Sequence, residues 1–243
     1  MLRLLFTLVF ILFWKAHIGQ KITIDTLIIP QIHENPFKQK GQLKFPMFKT
    51  GNAAVDQKMN TDLKRRLTKN AFPYLSTFWT LVFWVHPNIY MDFEVTYVKN
   101  GIISFAIHQE GCGAYCTAFT EHYTYNYLTG NLLTIHQIID IEGHFKSVVY
   151  ADKEKIIKQH VKELKKRLME ESTNFNQGEY ETILEFCQFC DDSFEISEFS
   201  LHNDHYRLFS SCAFPNAIKD LEPKIVLKYK YANWKSHLKI NLN

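Results

Sequence analysis

Two cysteines four residues apart, Cys112 and Cys116, sit between two runs of alternating side chains, and this arrangement restricts the fold more than any other stretch of the chain. Residues 102–109 and 117–127 both alternate apolar with polar positions, the period-two pattern of strands. If the cysteines lie opposite one another, paired residue numbers across the hairpin sum to 228. Ile103 then faces Tyr125, Phe105 faces Tyr123 and Gln109 faces Phe119, while Ser104 meets Thr124, Ala106 meets His122 and His108 meets Thr120. A slip of one residue would scatter the apolar set, so hydrophobic pattern and disulfide geometry select the same register. Upstream, residues 88–98 alternate with Ile89, Met91, Phe93, Val95 and Tyr97 on one face, and Asn100-Gly101 supplies a hairpin turn. A meander is expected, its last strand ending at a Thr129-Gly130 turn.

The flanking segments supply further strands and two principal helices. Residues 21–29 alternate Ile22, Ile24 and Ile28 with polar side chains, and residues 44–49 read as a strand that Pro46 assigns to an edge. Asn52 is placed to cap a helix with Val55, Met59, Leu63 and Leu67 inward and Lys64, Arg65 and Lys69 in water. Residues 151–171 form the longest helical pattern, with Ile157, Val161, Leu164 and Leu168 inward. Its lysines are interleaved with glutamates, which marks a solvated face. Residues 194–201 and 206–210 flank a His202-Asn203-Asp204-His205 turn, and residues 224–231 close the chain as a strand. Strands and helices are segregated, so the fold class is α+β with a mainly antiparallel sheet. The organisation expected is a segment 1–19 followed by one module, 20–243, with halves 20–128 and 129–243.

The segment 1–19 has the order of a signal peptide: Arg3, an apolar run over residues 4–14, then small residues around Ala16 and Gly19. Eleven apolar residues span about 16 Å as a helix, about half a bilayer's hydrocarbon core, so no permanent membrane anchor is expected. Removing Arg3 and Lys15 leaves 26 basic against 25 acidic side chains, and a net charge of +1 is no footprint for nucleic acid. Export exposes the five cysteines to oxidants. The simplest reading is two local bridges, Cys112 with Cys116 and Cys187 with Cys190, leaving Cys212 as a buried thiol. A four-thiolate zinc site from the two close pairs, and a redox dithiol at Cys187-Gln-Phe-Cys190, are the alternatives. No metal or cofactor is expected.

The 228 register makes His108 and His122 diagonal neighbours with Glu110 beyond them, a candidate contact patch on the polar face of the hairpin. Two functional classes follow. In a binding module these residues join Tyr115, an aromatic anchor at the loop, to hold a ligand. In a small metal-assisted hydrolase, the alternative, His108, His122 and Glu110 take acid, base or ligand roles. No nucleophile elbow, zinc-protease helix, phosphate loop or dinucleotide fingerprint is present, and no catalytic residue is assigned.

One stretch also resembles a known family. Ser104-Phe105, the loop residues Gly113-Ala114, Tyr125-Asn126-Tyr127, Thr129-Gly130 and Leu132-Leu133 are similar to the exported domain of unknown function shared by RsiV-type anti-sigma factors and the N-terminal region of PdaC-type peptidoglycan deacetylases. The resemblance extends more loosely from Asn60 to the last strand. It implies an extracytoplasmic α+β module that binds a lysozyme-like protein or accompanies enzymes acting on wall glycan, with a peptidoglycan fragment as the second partner class. A Cys-bracketed loop here replaces the family's paired glycines, so only the binding module is carried over, without anti-sigma signalling or deacetylation.

Overall fold

The computed structural model describes residues 21–30, 41–85, 88–112, 116–169, 176–192, 195–196 and 198–242. The expected signal peptide and the loop residue Tyr115 lie outside the described residues. In chain order the elements are β1 (Thr23–Ile29), β2 (Leu43–Lys49), α1 (Ala53–Leu67), α2 (Thr77–Trp84), β3 (Asn88–Lys99), β4 (Ile102–Cys112), β5 (Cys116–Asn126) and β6 (Asn131–Leu132). There follow α3 (Ile135–Ile138), α4 (His144–Leu168), α5 (Gln177–Asp192), β7 (Glu198–Leu201), β8 (His205–Ser210) and β9 (Ile225–Lys230). Strands β1 to β6 form one sheet in sequence order and β7 to β9 a second. Every pairing is antiparallel except β2 with β3, so the α+β class with a mainly antiparallel sheet holds.

The β4–β5 ladder runs from Ile102 opposite Asn126 to Cys112 opposite Cys116, the 228 register throughout, and Cys112 and Cys116 are bridged. Ahead of it, Asn100 (φ 54°) and Gly101 (φ 79°) both occupy the left-handed region that a two-residue hairpin turn requires. One expectation fails in β3. A register shift between Val95 and Tyr97 inserts an extra residue, and such a bulge turns the following side chains to the other face. Tyr97 therefore leaves the side of Met91, Phe93 and Val95 and enters the second core, where its hydroxyl donates to the Leu242 carbonyl at 3.0 Å.

The two faces of the first sheet serve two cores. One packs Phe45, Phe48, Met91, Ile103, Phe105, Tyr123 and Tyr125 against Met59, Leu63 and Leu67 of α1. Asn52 caps α1 as expected, accepting from the N–H groups of Ala54 and Val55. Lys64 does not face water: it is buried, and its ammonium donates to the Leu75 carbonyl at 3.0 Å. A long aliphatic stem lets a lysine cover apolar surface when its head finds an acceptor. The second core joins Phe145, Val149, Ile157 and Leu164 of α4 to Leu201, Tyr206, Leu208, Leu227 and Tyr229 on the inner face of the second sheet.

Other expectations are corrected by the packing. Pro46 lies in an interior strand, because β2 sits between β1 and β3. Its pairing with β3 is confined to Leu43 opposite Met91, so no β2–β3 pairing reaches Pro46, which lies opposite Thr26 in the β1 ladder. Helix α4 begins at His144, seven residues earlier than its periodic stripe suggests. Three further α-helices form among the described residues, α2, the short α3 and α5. Ser76 caps α2, and Asn176 and Glu179 exchange side-chain bonds with each other's N–H groups (both 3.0 Å) to open α5.

Helix α5 also corrects the cysteine assignment. Cys190 is bridged to Cys212, with the two Cα atoms 4.6 Å apart, and Cys187 is a free buried thiol. Cys187 and Cys190 stand one turn apart on the same helix face, and the chain leaving β8 brings Cys212 up to the second of them. Pairing by proximity in sequence misses a contact made by the return of the chain.

Candidate functional site

The polar face of the β4–β5 hairpin is not a solvated surface along its length. Strand β7 crosses it: Thr124 Oγ1 and the Leu201 N–H both donate to Ser104 Oγ, at 2.9 and 3.0 Å, and Ser104, Ala106 and Thr124 are buried. This seam joins the two sheets and divides the candidate residues. His108 lies beyond it, its Nδ1 3.0 Å from Thr120 Oγ1 and its Nε2 3.8 Å from the Glu94 carboxylate. Glu110, opposite Ala118, is further along the hairpin and half-buried. His122 lies within the seam. Its Nδ1 is 2.8 Å from Glu198 Oε1, and its ring stacks on Phe209 with centroids 3.8 Å apart. The structure therefore gives His108 and His122 different partners, and no group of three or more His, Cys, Asp or Glu side chains is arranged to hold a metal among the described residues.

Beside the seam is a groove of about 630 Å³ that includes His122. Its floor is the hairpin at His122 and Thr124; β6 and the start of α3 form one wall, α4 another, and the entry to β7 a third. Leu133 is fixed there by an N–H bond to the Thr124 carbonyl at 2.7 Å, and Thr134 is fixed by a 2.9 Å bond from its N–H to the Gln137 side chain. Apolar surface from Leu132, Leu133, Ile196 and Phe199 alternates with carboxylates from Glu142, Glu195 and Glu198. His122, tied at Nδ1 to Glu198 and stacked on Phe209, is a positioned imidazole at the groove. Burial, with opposition from the Tyr123 hydroxyl bond at 2.9 Å, raises the pKa of neighbouring Glu121.

The end of the second sheet holds another histidine pair. The His202 and His205 rings stack 4.4 Å apart; His202 Nε2 is 3.0 Å from Ser200 Oγ and His205 Nδ1 is 2.6 Å from Asp204 Oδ1. Burial first, and then the His205 and Arg207 charges, push the His202 pKa down to about 4. Ser200 is buried, so this Ser–His contact is structural and presents no accessible nucleophile.

Of the sequence-predicted residues that lie among the described ones, His108, Glu110 and His122, only His122 reaches the groove. The remaining lining comes from Thr124 beside it, from β6, α3, α4 and β7, and from the segments that lead into the last three. Its one sequence signal is Leu132-Leu133 followed by Thr134 and Gln137, an apolar pair entering a capping box.

The fold and groove define an α+β module in which a mainly antiparallel sheet and a smaller antiparallel one meet along a polar seam. No family model matches the chain, and no curated protein matches it. Among solved structures, a DUF3298 family protein from Pseudomonas aeruginosa PAO1 superimposes with a TM-score of 0.50 at 11% identity, over 91% of this chain and 94% of that one. A member of the DUF3298 family from Bacteroides fragilis NCTC 9343 covers the same shares at 11% identity with a TM-score of 0.49. At such identity the Pseudomonas likeness establishes a shared fold, that of a domain whose function is uncharacterised.

Proposed function

We propose that the protein is an exported, non-enzymatic binding module of the cell envelope, recognising a protein or a wall glycan in the groove beside the seam. The observation that carries this reading is the groove itself, where a fixed imidazole, three carboxylates and the apolar surface of Leu132, Leu133, Ile196 and Phe199 converge in a volume suited to one ligand segment. Two disulfides support an extracytoplasmic site, and no helix among the described residues is long and apolar enough to cross a membrane. The likeness of residues 104–139 to domains of RsiV-type and PdaC-type proteins points to lysozyme-like proteins and peptidoglycan fragments as the ligands to test.

The test is retention of the intact protein on insoluble peptidoglycan and on immobilised lysozyme, compared with Glu195→Lys and His122→Ala. Retention on one matrix that both substitutions abolish, with the folded spectrum preserved, is the expected result. Retention that neither substitution alters, or none on either matrix, overturns the proposal.

A further inference from the structure

The groove lies between two sheet edges. Strand β6 is an edge strand of the first sheet and β7 an edge strand of the second, and residues of both line the cavity. Because the Leu133 N–H points inward to Thr124, ladder alternation turns the Leu132 backbone outward, away from β5. On β7 the Leu201 N–H points off its own sheet to Ser104, and Phe199, two residues earlier, shares that orientation. A strand edge presents a row of backbone donors and acceptors, which is how an extended peptide is captured main chain to main chain.

Charge selects which peptide. Glu142 and Glu195 are exposed at the rim and Glu198 is half-buried beside His122, against one full positive charge, Lys146, 3.8 Å from Glu142. Between them stand Leu132, Leu133, Ile196 and Phe199. We infer that the groove takes an extended basic segment of a partner protein, its apolar side chains against those four residues and its cationic ones on Glu142 and Glu195. Acidic segments are repelled by the same rim. The inference rests on the groove being the ligand site, and within the proposed function it assigns that site to a protein ligand.

The experiment is fluorescence anisotropy of the intact protein with a labelled hexapeptide alternating valine and lysine, and with the same peptide carrying glutamate for lysine. The basic peptide binds, the acidic one does not, added salt weakens binding, and Glu142→Lys with Glu195→Lys weakens it about tenfold or more. Equal binding of both peptides, or an affinity that charge reversal leaves unchanged, overturns the inference. If the basic peptide fails to bind while groove substitutions still abolish retention on peptidoglycan or lysozyme, the inference falls and the proposed function stands. If neither responds, both fall.

Discussion

Ser104 joins the two sheets through one oxygen. Its Oγ accepts from Thr124 on the neighbouring strand and from the Leu201 N–H on the second sheet, with water excluded. Replacing Ser104 with Ala leaves a buried N–H without its acceptor, and such a loss is worth about 1–3 kcal/mol. Urea denaturation of Ser104→Ala is expected to show that deficit, against less than about 0.5 kcal/mol for Thr120→Ala on the exposed strand end. His202 gives a second prediction. Its folded pKa of about 4 lies below the ordinary 6.5, so the unfolded chain binds the proton more readily. Stability from neutral His202 is full above about pH 6.5, declines as pH falls, and is lost by about pH 4. His202→Asn should flatten the denaturation profile across that window, and an unchanged slope would contradict the assignment. At this scale the sequence showed caps and pairs well: Asn52 and the Cys112–Cys116 bridge rest on local geometry. It misplaced Lys64, because a charge pattern does not reveal that a carbonyl such as that of Leu75 waits inside.

Among the elements, the hairpin was legible because period-two alternation, a positive-φ turn and a bridge all specify one register. The bulge at Val95–Tyr97 was not, since an inserted residue changes faces without changing composition. Helix α5 was missed because its cysteines draw attention to each other, whereas its anchor is 22 residues away in sequence. Alkylation with mass spectrometry distinguishes the pairings. Unreduced protein in denaturant should label at Cys187 alone; label at Cys212 would restore the local pairing. Burial pushes the Cys187 thiol up to about 11, so without denaturant it should stay unlabelled at neutral pH. Cys212→Ala should lower stability by about 2–4 kcal/mol, and Cys187→Ser should leave the bridge intact.

At the scale of the molecule, the two cores and the two sheets meet on the polar face of one hairpin. A row of Ser104, Thr124 and His122 looks like a solvated strand face in sequence, and only the docking of β7 makes it a seam. The groove inherits this illegibility, because its lining joins residues far apart in sequence, such as His122 and Glu198, 76 residues apart. The proposed function requires that the ligand be held there. Backbone amide mapping by two-dimensional NMR, during titration with soluble muropeptides and separately with lysozyme, tests it most directly. One titration is expected to shift His122, Leu132, Leu133, Glu195 and Glu198 together while His108 and Glu110 stay unmoved. Shifts confined to His108, Glu110 and the hairpin end, or none in either titration, would contradict it.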